Sequence, residues 1–170
     1  YSRTFRTGRT TGYFTVRDNP GESALELSIV CDNVRCFMEI HNRVRRMFDL
    51  DTDFRDISQR FSTDPILSQG MHNGVPRLPM AFDPFEFLVR AILGQQITVK
   101  AASTIAGRIA GAAGRTTDET FPEGLDCFFP NAEELMELDL STLGMTRTRQ
   151  ETVSTATNAV LDQTISLSPN

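Results

Sequence analysis

Gln95 and Gln96 stand in a three-residue interval, Gln95-Gln96-Ile97, between two segments of helical pattern, and Arg147 and Arg149 open a third such segment. A side-chain amide both donates and accepts, so on their own the two glutamines satisfy backbone groups left over where one helix stops and the next begins. A cation near a helix start is electrostatically ill placed. Arg147 and Arg149 are therefore either solvated first-turn residues or residues with an anionic partner such as phosphate. No H-E-x-x-H, no G-x-S-x-G, no phosphate-cradling glycine loop and no metal-ligand spacing occurs. No catalytic residue, metal or cofactor follows from the residues. Glu133-Glu134 and Asp49, Asp51 and Asp53 are most simply helix caps and solvated faces. Cys31, Cys36 and Cys127 are odd in number and form no C-x-x-C pair, which makes each a buried or idle thiol. His41 falls on an apolar stripe as a hydrogen-bonded core histidine, and His72 lies in a loop without a role.

The elements that must position the two glutamines are legible around them. Asp83 is an N-cap, Pro84 suits the first helical position, and Glu86 completes a capping box. Phe85, Leu88, Val89 and Ile92 then share one helical face. Gly94 stops this helix. Thr98 caps the next, whose Val99, Ala102, Ala106 and Ile109 fall on one face, with alanines that let a neighbour approach closely.

Upstream, residues 1–30 carry the alternation of antiparallel strands. Leu25, Leu27 and Ile29 interleave with Glu26 and Ser28, and Gly8 to Gly12 and Asp18 to Gly21 supply turns. Tyr1 opens in strand-like sequence, so a chain that begins inside a larger sheet, with an unpaired edge, is expected. Asp32 caps a helix whose stripe is Val34, Phe37, Met38, His41, Val44 and Phe48, and Asp53 caps a short one through Phe54, Ile57 and Phe61. The proline- and glycine-marked stretch 63–80 is the domain boundary. After the central pair, 111–129 is a loop, Asn131 with Glu134 starts another helix, and Val153, Ala156 and Val160 mark the last. SLSPN then trails away as in a chain cut from a longer protein.

Composition bounds the rest. The 170 residues suffice for one ordinary domain or two small ones, and no apolar run approaches the roughly 20 residues of a membrane helix. With no secretory pattern either, a soluble cytoplasmic protein is expected. The net charge of −5 argues against a broad phosphate-binding surface. Residues 1–46 nonetheless hold eight arginines against five acids, so any nucleic-acid contact must be local.

The segment PRLPMAFDPFEFLVRAILGQQITVKAASTIAGRIA, residues 76–110, closely resembles the corresponding part of bacterial 3-methyladenine DNA glycosylase II, the AlkA type. R-L-P, D-x-F-E, V-R-A-I-L-G-Q and a β-branched residue opening an alanine-rich helix carry the resemblance. Tyr1-Ser-Arg, Gly12-Tyr-Phe-Thr-Val, the strand at Leu25 and Arg46-Met-Phe-Asp-Leu follow the family's amino-terminal domain in order. Leu143-Gly-Met with Arg149 and Glu151 resembles the helix before its helix-hairpin-helix, so the likeness covers nearly the whole chain.

What the resemblance implies is an α+β fold. An AlkA-type N-terminal domain over 1–75, lacking its first strand, precedes a truncated all-helical glycosylase domain over 76–170. Such enzymes flip alkylated purines out of double-stranded DNA and hydrolyse the glycosidic bond. Their catalytic aspartate and hairpin lie carboxy-terminal to the matching region, so the stretch is expected to be inactive alone. The family's gap-filling residue follows Gly-Gln and corresponds to Gln96, where many members carry an apolar wedge. Gln95, Arg147 and Arg149 are the further expected DNA contacts, with phosphate near the hairpin for the arginines. The alternative is a non-catalytic DNA-binding or regulatory module of an Ada/AlkA-like fusion. A chain lacking its first strand and last helices is also expected to self-associate.

Overall fold

The structure, a computed structural model, describes residues 1–70 and 74–167; His72 lies outside the described residues. Packing divides it into two units, Tyr1–Cys36 with Asp83–Asn170, and Phe37–Phe82. The sequence-based division at 75/76 follows chain order, whereas this grouping places the strands with the later helices.

In the first unit, strands β1 (Ser2–Thr7), β2 (Thr10–Asn19) and β3 (Ala24–Cys31) form an antiparallel sheet in that order. Alternation drives it: Phe5, Phe14 and Val16 are buried, and the residues between them are more exposed. Each such side chain contributes roughly 1.5–3 kcal/mol on burial. Phe5 pairs with Gly12, and Gly12 with Cys31. A Cβ at Gly12 would lie 2.9 Å from the Phe5 ring and 2.6 Å from the Cys31 Cβ, so only glycine lets three strands close here.

Helices α4 (Pro84–Gly94), α5 (Val99–Ala112), α6 (Ala132–Met136) and α7 (Arg147–Leu161) belong to this unit, whereas α1 (Phe37–Met47), α2 (Arg55–Ser62) and α3 (Leu67–Gly70) belong to the other. Leu93, Ile109, Leu135 and Val153 are almost wholly buried in one shared core. Val99, expected on the buried face of α5, is instead 83 % exposed, and Ile105 takes its place. The reason lies along the axis rather than around it: Val99 is the first residue of α5, next to the exposed turn, whereas Ile105 lies farther along the helix among the core residues. The loop 111–129 has order of its own. Thr116 and Cys127 form a β-bridge, and Phe121 lies 5.4 Å from Tyr13 of β2 and edge-on to Phe128 at 5.7 Å, ring centre to ring centre.

Two carboxylates fasten β1 to these helices. Glu86 Oε2 accepts from Arg3 Nη2 at 2.6 Å, and its Oε1 accepts from Arg90 Nε at 2.6 Å. Asp83 does cap Glu86 N at 3.0 Å, but the Glu86 side chain serves the two arginines rather than the reciprocal half of the capping box. Glu134 makes the full box with Asn131 and also receives Arg6 Nη1 at 2.9 Å and Arg115 Nε at 3.0 Å. Arg6 holds the Glu134 carboxyl down at about 2, with the Asn131 N–H and Arg115 adding to the effect against the cost of burial.

The connection after β3 is a 3-10 turn, Val34–Cys36, started by Asn33 rather than Asp32: Asn33 Oδ1 accepts from Arg35 N at 3.1 Å. In the second unit, α1 (Phe37–Met47) buries Ile40 and Val44, while Met38 is 67 % exposed, so the inward stripe is rotated from the expected one. The expected stripe began at Val34, three residues too early for a helix that starts at Phe37. Among the described residues, His41 Nδ1 is buried without a hydrogen-bond partner, so the hydrogen bond expected of this histidine is not made at that nitrogen. Helix α2 (Arg55–Ser62) has Phe54 as its cap residue, with Asp53 taking the Arg55 N–H at 3.0 Å. A short α3 (Leu67–Gly70) lies within the expected loop. Asp49, at φ +52°, accepts from Leu78 N at 2.9 Å, which ties the stretch before α4 back to the end of α1. The guanidinium of Arg77 covers the Phe54 ring at 5.0 Å.

Candidate functional site

The chain between α4 and α5 is set by what flanks it. Leu93 is fully buried on one side, and Ile97 packs against the same core on the other. Two apolar anchors four residues apart leave Gln95 and Gln96 no place but the surface, and both are exposed. Gln95 is extended (φ −63°, ψ 125°) and Gln96 is left-handed at φ +57°. Gly94 remains helical, so the reversal that its sequence position suggested is carried out by Gln96. A non-glycine side chain held left-handed costs roughly 1 kcal/mol. Thr98 then caps α5, its Oγ1 accepting from Ala101 N at 3.2 Å.

Arg149, in the first turn of α7, donates from Nη2 to the Gln95 carbonyl at 2.6 Å. This supplies an acceptor bond to a carbonyl that α4 no longer uses, and it answers why a cation sits at a helix start. Thr146 caps α7 by accepting from Arg149 N at 3.4 Å. Arg147 is not part of this arrangement: it is 91 % exposed and pairs with Glu151 one turn on at 2.9 Å. Three of the four expected residues thus meet at one surface point, and the fourth stands apart.

Sequence reasoning missed two neighbours of that point. Val99 and Lys100, in the first turn of α5, are both exposed. Lys100 is the only lysine of the chain, and it stands four residues from Gln96. The cap at Thr98 was the available signal, since first-turn residues of a surface helix that follow an exposed turn are themselves poorly covered. Altogether the arrangement presents one flexible amide on a fixed, strained backbone, beside a helix start and a lysine. Among the described residues no cluster of His, Cys, Asp and Glu fit for a metal is present, and no helix is long and apolar enough to cross a membrane.

An antiparallel sheet followed by helices that share its unit is an α+β architecture, and its backbone matches that of solved structures. MBOgg1, solved in complex with a low-affinity DNA ligand, superposes with a TM-score of 0.70 over 97 % of this chain and 57 % of its own, at 22 % identity. Among curated proteins, a probable bifunctional transcriptional activator/DNA repair enzyme AlkA of Mycobacterium tuberculosis is 34 % identical over 98 % of this chain. DNA-3-methyladenine glycosylase 2 of Escherichia coli is 29 % identical over 97 %. The chain spans about a third of the former's length, 33 %, and 57 % of the latter's. Residues 1–83 match the model of the AlkA N-terminal domain.

Proposed function

We propose that this chain is part of a base-excision DNA repair glycosylase that extrudes alkylated purines such as 3-methyladenine from double-stranded DNA and hydrolyses their N-glycosidic bond. The exposed, left-handed Gln96 is the observation that carries the reading. Flipping a nucleotide costs a few kcal/mol of lost stacking and pairing. A side chain pushed into the vacated space recovers part of that, and it does so best when its backbone is already fixed. Glutamine fills the gap and offers an amide to the orphaned partner base. Gln95 and Arg149 support the turn and stand beside the duplex, and Arg147 reaches phosphate farther along. On this reading the bond-cleaving aspartate that the resemblance implies is not among the residues assigned to the site, and base release is a property of the full-length protein. The domain division at 75/76 and a cytoplasmic location belong to the same reading.

The test is release of 3-methyladenine from alkylated duplex by the full-length protein and its Gln96→Ala variant. A loss of about 10- to 100-fold in kcat/KM, with unchanged thermal stability, is expected. Equal release by both proteins removes Gln96 from the mechanism. A second reading, a regulatory DNA-binding module of a fusion protein, is favoured by the bifunctional name of the Mycobacterium tuberculosis relative and the third of its length that is matched. Binding of alkylated duplex without base release by the full-length protein would select it. Exposed Phe87 and Val99 further favour self-association of the chain at high concentration; strictly monomeric light scattering refutes that.

A further inference from the structure

Cys31 ends β3 and Cys36 ends the 3-10 turn that follows, and their sulfurs lie 3.2 Å apart. A disulfide bond is about 2.05 Å long, so little more than an ångström of sulfur movement separates the pair from a covalent link. The sheet builds this approach. Gly12 of β2 faces Cys31 of β3 and leaves room that any side chain would take. Asn33 shapes the interval between them: its carbonyl accepts from the Cys31 thiol at 3.2 Å while its side chain caps Arg35 N. The two thiols also differ in access, Cys31 being partly exposed and Cys36 only 5 % exposed.

From this geometry we propose that Cys31 and Cys36 form a thiol pair that low-molecular-weight disulfides oxidise to an intramolecular bond. The accessible Cys31 thiolate attacks one sulfur of the reagent, whose S–S bond breaks and releases one reagent thiolate. The Cys36 thiolate then attacks the Cys31 sulfur and expels the second reagent thiolate. Two protein thiols lose two protons and two electrons, and the reagent leaves as two thiols. The new bond clips the end of β3 to the residue preceding α1. Cys127 takes no part: burial foremost, then the neighbouring charges of Asp126 and Glu86, raise its thiol above the ordinary range and keep it protonated.

The test is incubation of the 170-residue chain with oxidised glutathione, acid quench, alkylation and mass spectrometry. The expected result is loss of two hydrogens, loss of two of the three alkyl groups, and a linked peptide joining Cys31 to Cys36. Cys127→Ser behaves the same, whereas Cys31→Ser forms no internal link. Cys36→Ser stops at a glutathione adduct on Cys31; should that buried substitution unfold the chain, Cys31→Ser decides alone. Three retained alkyl groups, a link through Cys127, or separate glutathione adducts on both Cys31 and Cys36 would each overturn the proposal.

Discussion

The Arg149 guanidinium donates to the backbone carbonyl of Gln95 at 2.6 Å across 54 residues of sequence. One bond therefore joins the start of α7 to the end of α4, at the point where the chain must stop being helical. Arg149→Ala is expected to cost roughly 0.5–1.5 kcal/mol, the net range for a hydrogen bond whose exposed acceptor water can take over. Amide exchange at Ile97 should quicken as the turn loosens. Arg147→Ala, which breaks only an exposed pair with Glu151, should fall within about 0.5 kcal/mol of the parent in the same urea titration.

Gln96 sets stability against binding. Because it is left-handed, Gln96→Gly relieves strain and should stabilise the fold by up to about 1 kcal/mol, while Gln96→Val should destabilise it by a similar amount. Yet the glycine variant loses the amide that fills the gap, so affinity for a duplex with an abasic site should drop. A glycine variant that binds such DNA as tightly as the parent would contradict the role given to Gln96.

Acid should weaken the attachment of β1. Glu134 is held at about 2 in the folded chain against an ordinary value of 4.5. Its folded value is the lower one, so the stabilisation is complete above about pH 4.5 and is lost as pH falls from there toward 2. Glu134→Gln should flatten that limb of a stability-versus-pH curve. An unchanged slope in the variant would show that other carboxylates govern it.

Glu86 is only 9 % exposed and serves both Arg3 and Arg90. Glu86→Gln keeps the shape and an acceptor but removes the charge between two partly solvated guanidinium groups, a change expected to cost about 1–2 kcal/mol. Chemical denaturation of the parent, Glu86→Gln, Arg3→Met and the double variant measures the coupling. Additive losses would mean that Arg3 and Glu86 act independently.

Much of this architecture was legible because local patterns and tertiary demands agree. Alternation at Leu25, Leu27 and Ile29, the caps Asp83, Thr98 and Asn131, and the exposed interval at Gln95 and Gln96 all follow from a few neighbouring residues. Where partners come from afar, the sequence was silent. Nothing near Glu86 tells that Arg3 will claim its carboxylate, nor does anything around Arg149 point to a carbonyl 54 residues away. Cys31 and Cys36 escaped notice for another reason: their spacing matches no metal or redox pattern, and only the turn between strand and helix brings the sulfurs together.

The two arginines of β1 also impose an order on synthesis. Arg3 finds its acceptor 83 residues later and Arg6 finds its own 128 residues later. At a ribosome's roughly 5–20 residues per second, β1 is made several seconds before Glu86 exists and longer still before Glu134. During that delay Arg3 and Arg6 stand without the carboxylates that later fasten their strand to the helices of the same unit.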